Sequence, residues 1–452
     1  MATPSANTRG RAPADFIWGT ATAAYQIEGS INVDGRGASV WDTFSHTPGK
    51  ILDGTNGDIA CDHYQRWRDD VALMARLGLS GYRFSVSWSR VQPMGAGAVN
   101  KFGLDFYEKL IDALLENHIT PFVTLYHWDL PQALQDNGGG WLNRDTASRF
   151  ADYAEIVTRR LGDRVKHWIT LNEPFIQMYY GYVTGEHAPG LTDVRNALPV
   201  MHHMLLGHGL ALQPIRSNVA DAQIGIAYSL AKVEPVTDHD ADITIADHAD
   251  AFINRIMLDP VLRGVYPDAI SHLIPDGLIQ ENDLRTISAP TEMIGVNYYL
   301  RLLVRADSKA PLGYSIVPPA SKDLTAMGWE VYPEGLDYWL HRVAKDYPDH
   351  NVYITENGTA FPDEIGADDQ VHDPRRLEYL RDHTRVALAA LADGVPLKGY
   401  FLWSLMDNFE WAMGFMPRFG IIYTDYVTQR RVIKDSGHWY GRLAAIGDPD
   451  EA

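Results

Sequence analysis

Cysteine is almost absent from this sequence, since Cys61 is the only one among 452 residues. An intrachain disulfide is therefore excluded, and the composition suits a reducing compartment. Basic residues are also scarce: 39 Lys and Arg stand against 58 Asp and Glu, which gives a formal net charge of −19. Because phosphate-rich surfaces repel such a chain, we expect neither nucleic acid nor an anionic membrane as a partner.

Long apolar runs and linkers are missing as well. No stretch approaches the roughly 20 apolar residues of a membrane helix. The first residues, MATPSANTRGRAPADF, lack the apolar core of a secretory signal, so we expect a cytoplasmic protein. No Pro/Gly/Ser-rich linker divides the chain. We therefore expect a flexible tail over residues 1–14, one catalytic domain over 15–446 and a short C-terminal tail over 447–452.

The chain alternates between short β-rich segments and longer helical patterns, such as 61–78, 103–118 and 143–162. The predicted strands are 16–25, 81–88, 120–127, 167–174, 222–230, 292–299, 351–358 and 399–407. Eight strands in an undivided chain favour a closed (β/α)₈ barrel with elaborated βα loops at its C-terminal face. An open doubly wound sheet is the alternative, although no GxGxxG turn follows the first strand.

Polar or aromatic residues stand at most of the predicted strand ends. In a (β/α)₈ barrel these ends line the active site, so the pattern predicts a site rather than a purely structural barrel. The residues concerned are Arg83, Trp88, His127, Trp128, Asn172, Glu173, Asn297, Tyr298, Tyr299, Glu356 and Trp403.

Two glutamates share one local design, because Glu173 in TLNEP and Glu356 in ITENG each come before a chain-breaking residue. We expect Pro174 to hold Glu173 in extended geometry. On its own, ITENG also fits a β-hairpin. A facing pair can divide its roles, with Arg83 keeping Glu356 ionised as a nucleophile and repulsion keeping Glu173 protonated. Glycoside hydrolysis uses such a pair, at about 5 Å for retention or about 6.5–9.5 Å for inversion, and the sequence leaves both open.

Five segments in order resemble glycoside hydrolase family 1, the β-glucosidase family, from about Phe16 to Tyr440. They are FIWGTATAAYQIEG, YHWDLPQAL, TLNEP, YITENG and LWSLMDNFEWAMGFMPRFGIIYTD. The resemblance implies a retaining mechanism without metal or organic cofactor, with Glu173 as acid/base and Glu356 as nucleophile. The implied substrates are small β-glycosides or short β-linked oligosaccharides with a terminal β-D-glucosyl residue. Transglycosylation is an implied side activity, and β-galactosidase or β-fucosidase activity is the alternative for the same site.

The resemblance also assigns the remaining site residues. Trp403 is expected beneath the sugar with a cis peptide to Ser404, Trp329 beside the leaving group, and Tyr299, Asn297 and Arg83 around the nucleophile. Substrate-binding groups around the sugar are Gln26, His127, Trp128, Asn172, Glu410 and Trp411. Glu410 replaces the serine of the phospho-glycosidase branch, which disfavours phosphorylated sugars. Phe415 and Met416 depart from the family pattern on the leaving-group side.

Two rival hypotheses remain open. The segment VEPVTDHDADITIADHADAF concentrates acidic residues and histidines, and His239, Asp247, His248 and Asp250 would suit a metal-dependent hydrolase. Such a segment also fits a solvated helical face. The other rival is a carbohydrate-binding protein without catalysis, which the 11% aromatic content would equally serve.

Overall fold

Thirteen strands and sixteen α-helices lie within residues 10–452, which are the residues that the computed structural model describes. The first nine residues of the predicted 1–14 tail lie outside this range. The strands are β1 Ile17–Ala21, β2 Gly81–Ser85, β3 Thr120–Tyr126, β4 His167–Asn172, β5 Gln223–Ser229, β6 Lys232–Pro235, β7 Met293–Asn297, β8 Arg301–Ala306, β9 Tyr314–Val317, β10 Asn351–Asn357, β11 Leu397–Trp403, β12 Ile422–Thr424 and β13 Arg431–Ile433.

The helices fall mainly between the strands. They are α1 Ala24–Ile27, α2 Val40–Ser45, α3 His63–Arg76, α4 Trp88–Val91, α5 Lys101–Glu116, α6 Gln132–Asp136, α7 Asp145–Leu161, α8 Pro174–Met178, α9 Ala197–Asn218, α10 Asp240–Asp250, α11 Ile256–Leu262, α12 Asp268–Ser271, α13 Asp283–Ile287, α14 Pro333–Asp346, α15 Pro374–Ala392 and α16 Asp435–Ile446. None of these helices is both long enough and apolar enough to span a bilayer.

Eight parallel strands close into a barrel in the order β1-β11-β10-β7-β5-β4-β3-β2. This confirms the predicted (β/α)₈ fold. Seven of the eight predicted strands contain a barrel strand, and β11 begins two residues before the predicted 399–407. The barrel strands are buried along almost their whole length because helices cover their outer face, so they read as continuous apolar runs such as PFVTLY in β3. The sequence prediction missed the three-stranded sheet β6-β8-β9 and the hairpin β12-β13.

The strands that carry the two glutamates are irregular at their C-terminal ends. In β10 the pairing register shifts between Ile354 and Glu356 against β7, and in β4 it shifts between Ile169 and Asn172 against β5. Such bulges change the direction in which a side chain points. Because β10 pairs in parallel with both β7 and β11, the hairpin reading of ITENG was wrong.

The predicted extended geometry of Glu173 was also wrong. Glu173 has φ 45° and ψ 64°, in the left-handed region, and it directly precedes α8. A residue before proline avoids the right-handed helical region but has more than one alternative to it. Since β4 ends at Asn172 and Pro174 begins α8, the chain turns through the left-handed conformation at Glu173 rather than extending the strand.

The first described residues contact the end of the last helix. Arg11 donates from Nε to the Ile446 carbonyl at 2.9 Å, and the Ala12 amide donates to the Gly447 carbonyl at 2.8 Å. The described part of the N-terminal segment is therefore attached to the end of α16.

Candidate active site

A cavity of about 360 Å³ lies among the C-terminal ends of the barrel strands. Its volume is in the range of small-ligand sites. Ten of the predicted site residues line it: His127, Trp128, Glu173, Asn297, Tyr299, Trp329, Glu356, Trp403, Glu410 and Trp411. The other three, Gln26, Arg83 and Asn172, lie behind the wall and are linked to it by hydrogen bonds.

Glu356 receives one hydrogen bond on each carboxylate oxygen. Arg83 donates from Nη1 to Oε1 at 2.6 Å, and the Tyr299 hydroxyl donates to Oε2 at 2.8 Å. Burial raises the pKa of Glu356, while the Arg83 charge and the Tyr299 hydroxyl oppose that rise. Because a buried guanidinium remains charged, Arg83 favours the ionised carboxylate.

Arg83 is itself held in place from several sides. Its Nη2 donates to Asn172 Oδ1 at 2.5 Å, its Nε to the Thr124 hydroxyl at 3.1 Å, and its Nη1 also to the Thr355 carbonyl at 3.0 Å. The side chain is 1% exposed. This orientation leaves little freedom for the Arg83–Glu356 pair to separate.

Glu173 lies in a different electrostatic environment. Burial and the negative charge of Glu356 raise the pKa of Glu173 to about 8. Its only hydrogen-bond donor within the described residues is Asn297 Nδ2, which is 3.0 Å from Oε1. The carboxyl group is therefore protonated at neutral pH, and Oε2 is the oxygen left to carry the proton.

Hydrogen bonds through Asn297, Asn172 and Arg83 connect the two glutamates. The Thr355 hydroxyl donates to Asn297 Oδ1 at 2.6 Å, which fixes the amide so that Nδ2 faces Glu173. Asn297 Nδ2 also reaches Asn172 Oδ1 at 3.1 Å, and Asn172 Nδ2 donates to His127 Nε2 at 2.9 Å. Burial and the nearby Arg83 charge hold the pKa of His127 well below its usual range, so its imidazole is neutral.

Glu410 approaches the cavity on a long loop after β11. Gln26 in α1 donates from Nε2 to Glu410 Oε2 at 3.3 Å and to the Phe409 carbonyl at 2.8 Å. Burial and the charge of Glu356 raise the pKa of Glu410 to about 8. The predicted first strand was too long at this point, because the chain leaves β1 after Ala21 and carries Gln26 in a helix.

Buried ion pairs hold the base of this loop, and the sequence prediction missed them. Lys434 donates from Nζ to Asp407 Oδ1 at 2.7 Å and to Asp363 Oδ2 at 2.5 Å. Asp407 also accepts from Arg418 at 2.7 Å and from the Gly420 amide at 2.9 Å. Removing one partner would leave a buried charge uncompensated, so the network holds the loop in one position.

Aromatic side chains form two groups around the cavity. Trp411 packs against Trp41 and Trp128, with ring centroids 4.6 and 4.7 Å apart, and Trp403 lies 5.8 Å from His127. On the other side Trp329 lies 5.3 Å from Tyr299. The first group can support the apolar face of a sugar ring, and the second can contact a leaving group.

The Trp403–Ser404 peptide is cis, which confirms that prediction. The glycine of ITENG has a packing reason: a Cβ at Gly358 would lie 1.7 Å from the Trp403 carbonyl oxygen. Only glycine fits where the chain after β10 passes this close to the end of β11.

Some residues named from the sequence do not reach the cavity. Trp88 lies in α4, is fully buried, and stacks on Tyr153 at 4.9 Å between ring centroids. Tyr298 donates its hydroxyl to the Tyr332 carbonyl at 2.6 Å. Phe415 packs on Tyr426 at 4.2 Å between centroids, and Met416 is exposed. None of these four residues lines the cavity. Because successive side chains of a strand point to opposite faces, Tyr298 points away from the cavity that its neighbours Asn297 and Tyr299 line.

The cavity residues that the sequence analysis missed include Tyr180, Glu186 and His187. They lie in the segment between α8 and α9, which includes a π-helical turn at Tyr179–Val183. Their place in the sequence could have indicated them, because a long loop after a barrel strand belongs to the C-terminal face.

The acidic segment proposed for a metal site is used in ion pairs. Asp247 accepts from Arg255 at 3.0 Å, and Asp250 accepts from Arg342 at 2.8 Å and from Arg255 at 3.0 Å. His239 precedes α10 and His248 lies in its last turn. Across residues 10–452 no three His, Cys, Asp or Glu side chains are grouped so that they could hold a metal ion.

The family model described as Glycosyl hydrolase family 1 matches residues 8–448. A 1,4-β-D-glucan glucohydrolase of Thermotoga neapolitana is 48% identical over 434 residues, which are 95% of this chain and 97% of the relative. β-Glucosidase A of Thermotoga maritima is 48% identical over 436 residues, with the same coverage. A bifunctional β-D-glucosidase/β-D-fucosidase of Bifidobacterium breve is 44% identical over 456 residues, 96% of this chain and 98% of the relative.

Solved structures agree with the sequence matches. A family 1 β-glucosidase from Thermotoga maritima superposes with a TM-score of 0.93 at 46% identity, covering 96% of this chain and 98% of that one. The same enzyme in complex with glucoimidazole gives a TM-score of 0.93 at 46% identity, covering 96% and 99%. With the family match spanning nearly the whole sequence and a barrel that carries two glutamates in one cavity at its C-terminal face, this chain belongs to glycosyl hydrolase family 1.

Proposed function

We propose that this protein is a retaining β-glucosidase that removes terminal β-D-glucosyl residues from small β-glycosides and short β-linked oligosaccharides, including fragments of cellulose. One observation carries the proposal: an arginine-bound Glu356 and a Glu173 with a pKa of about 8 line the same cavity. The relatives named β-glucosidase and glucan glucohydrolase support the choice of glucosyl substrates.

The first step joins the sugar to the enzyme. A Glu356 carboxylate oxygen attacks the anomeric carbon while the bond to the glycosidic oxygen breaks, and Glu173 gives its proton to that oxygen. The leaving group departs as a neutral alcohol. Glu356, now an ester, has lost its charge, and Glu173 has become a carboxylate.

The second step releases the sugar. Because the ester at Glu356 no longer repels it, Glu173 is stable as an anion and accepts a proton from an incoming water. The water oxygen bonds to the anomeric carbon, the ester bond breaks, and Glu356 returns to its ionised form. An alcohol or a second sugar in place of water gives transglycosylation.

The glycone is held by the polar residues above Trp403. Glu410 and Gln26 would bind hydroxyls at the 4 and 6 positions, and His127 and Asn172 would bind hydroxyls nearer the reacting carbon. A 6-phosphate would find no cationic partner here, because neither Lys nor Arg is among the described cavity-lining residues. The Bifidobacterium breve relative is named for both β-D-glucosidase and β-D-fucosidase activity, so we include β-D-fucosides, which lack the 6-hydroxyl and have the opposite configuration at carbon 4, as second substrates.

A 2-deoxy-2-fluoro-β-glucoside with a good leaving group tests the proposal. The protein should release the leaving group once, lose activity, and carry the fluorosugar on a peptide that contains Glu356. Label on any other peptide, or no label in a protein that hydrolyses 4-nitrophenyl β-glucoside, would contradict it. NMR of the first product should show the β-anomer.

The same preparation separates the rival functions. Activity that is unchanged after dialysis against a chelator contradicts a metal-dependent hydrolase. Binding of glucosides without any turnover would instead support the non-catalytic carbohydrate-binding protein.

A further inference from the structure

Glu186 is the carboxylate of the cavity wall that nothing in the proposed mechanism uses. It is an exposed residue of the segment between α8 and α9, yet it lines the same cavity as Glu173. No hydrogen bond or ion pair to its carboxylate occurs within residues 10–452. By contrast Glu173, Glu356 and Glu410 each accept at least one hydrogen bond.

The position of Glu186 is on the leaving-group side. Its charge acts on its neighbours, since it contributes to the raised pKa of Tyr180, which burial raises to about 12. Tyr180 lies against His187, with ring centroids 5.2 Å apart, and both line the cavity. Glu186 is exposed at the mouth of this cavity, whereas Gln26, His127 and Asn172, which would bind the glycone, are buried at its closed end. A terminal glycone in the closed end directs the leaving group toward the mouth, so Glu186 faces the part of a substrate beyond the glycosidic oxygen.

The rest of the wall offers no positive charge to neutralise it. Neither Lys nor Arg is among the cavity-lining residues. Burial lowers the pKa of His187 to about 3, so this imidazole is neutral when the enzyme works. Lys50 lies close to the same segment, near Gly190, but its Nζ stands over the Phe44 ring at 5.3 Å and forms no ion pair with Glu186.

We propose that Glu186 selects leaving groups by charge, favouring glycosides whose leaving group carries an ammonium group over neutral ones and disfavouring those that carry a carboxylate. This inference rests on the proposed β-glucosidase function and names the substrate class within it. An exposed carboxylate interacts weakly through water, but the low-dielectric aromatic wall beside Glu186 strengthens its field toward the cavity.

Three aryl β-glucosides that differ only at the para substituent provide the test: aminomethyl, hydroxymethyl and carboxymethyl. For each, kcat/KM is compared between the wild type and Glu186→Gln, so that differences in leaving-group reactivity cancel. We expect Glu186→Gln to lower kcat/KM for the ammonium substrate roughly three- to tenfold, to raise it by a similar factor for the carboxylate substrate, and to leave the neutral one unchanged.

Glu186→Lys should reverse the order of the charged substrates, and the differences should shrink as salt is added. The control variant is Glu364→Gln, an exposed glutamate in the loop after β10 that does not line the cavity, and it should change none of the ratios.

Equal ratios for all three substrates in Glu186→Gln and Glu186→Lys would overturn this inference while leaving β-glucosidase activity intact. Loss of the proposed function shows differently, because the wild type would then hydrolyse none of the three substrates.

Discussion

The Tyr299 hydroxyl donates to Oε2 of Glu356 at 2.8 Å, on the side of the carboxylate that Arg83 does not occupy. Each oxygen of the proposed nucleophile thus has its own donor. Hydrogen bonds to the ionised form favour that form, so the two donors keep the carboxylate charged in a site where burial would otherwise protonate it.

Tyr299→Phe removes one of these donors without a change in shape. The pKa of Glu356 should rise, so the ionised fraction is lost at a higher pH on the acid side. We expect the acid limb of kcat/KM against pH to move upward and kcat to fall by about ten- to a hundredfold. Tyr298→Phe is the matched control, because that neighbouring hydroxyl donates to the Tyr332 carbonyl instead. An acid limb that stays in place in Tyr299→Phe would show that the hydroxyl does not act on the nucleophile.

The fall of kcat/KM at high pH, its basic limb, should reflect the ionisation of Glu173. Activity requires the protonated carboxyl, so kcat/KM for 4-nitrophenyl β-glucoside should fall as pH rises through about 8. The first step with 2,4-dinitrophenyl β-glucoside needs no acid, because dinitrophenolate leaves without a proton. In Glu173→Gln this step should therefore remain fast, and its rate should no longer fall at high pH. The burst of dinitrophenolate in a stopped-flow experiment measures it.

Glu410 has a pKa in the same range, about 8, and provides the control for the basic limb. Glu410→Gln should keep the limb with ordinary substrates even though its activity is lower. A limb that disappears in Glu410→Gln and persists in Glu173→Gln would reverse the assignment.

The sequence predicted the barrel and most of the cavity for a physical reason. Strands buried on both faces need continuous apolar runs, and their ends meet at one rim, so PFVTLY in β3 and the polar residues after such runs indicate fold and site together. The backbone at Glu173 was not predictable in this way. Pro174 excludes the right-handed helical region for Glu173 but allows both the extended and the left-handed regions. The turn from β4 into α8 selects the left-handed one.

The sequence did not predict ion pairs between residues that are far apart along the chain either. Lys434 and Asp407 are ordinary surface residue types, and only the closed barrel places them 2.7 Å apart beneath the loop that carries Glu410. Glu186 and His187 were missed because their loop has no strand or helix pattern, and its distance from the cavity depends on how it folds back over the rim.

Glu173→Gln should also stabilise the protein, and more so at alkaline pH. In the folded state the pKa is about 8, above its value of 4.5 in an unfolded chain, so the folded state holds a proton that the unfolded state gives up between these values. The contribution of this carboxyl to the free energy of unfolding is therefore fully present below pH 4.5 and is lost as the pH rises through about 8. The amide does not titrate, so the gain in Tm over wild type should grow between about pH 5 and about pH 9. Thermal unfolding followed by circular dichroism at several pH values measures this, and a gain that is constant or shrinks with pH would contradict it.

Glu410→Gln tests the contact to the far side of the glycone. The carboxyl group of Glu410 offers two oxygens to the sugar and an amide offers only one, so hydrogen bonds to the 4- and 6-hydroxyls are lost, and we expect kcat/KM for 4-nitrophenyl β-glucoside to fall by about a hundredfold. A 6-deoxy-β-D-glucoside, which differs from the glucoside only in lacking the 6-hydroxyl, should lose several-fold less. Because Glu410 lies on the opposite side from the leaving group, changing 4-nitrophenol to another phenol should not alter the loss, and Glu364→Gln again serves as the control. If the glucoside and the 6-deoxyglucoside lose the same factor, Glu410 contacts no group at the 6 position. Gln26, which donates to the Glu410 carboxylate at 3.3 Å, would then be the residue to replace next.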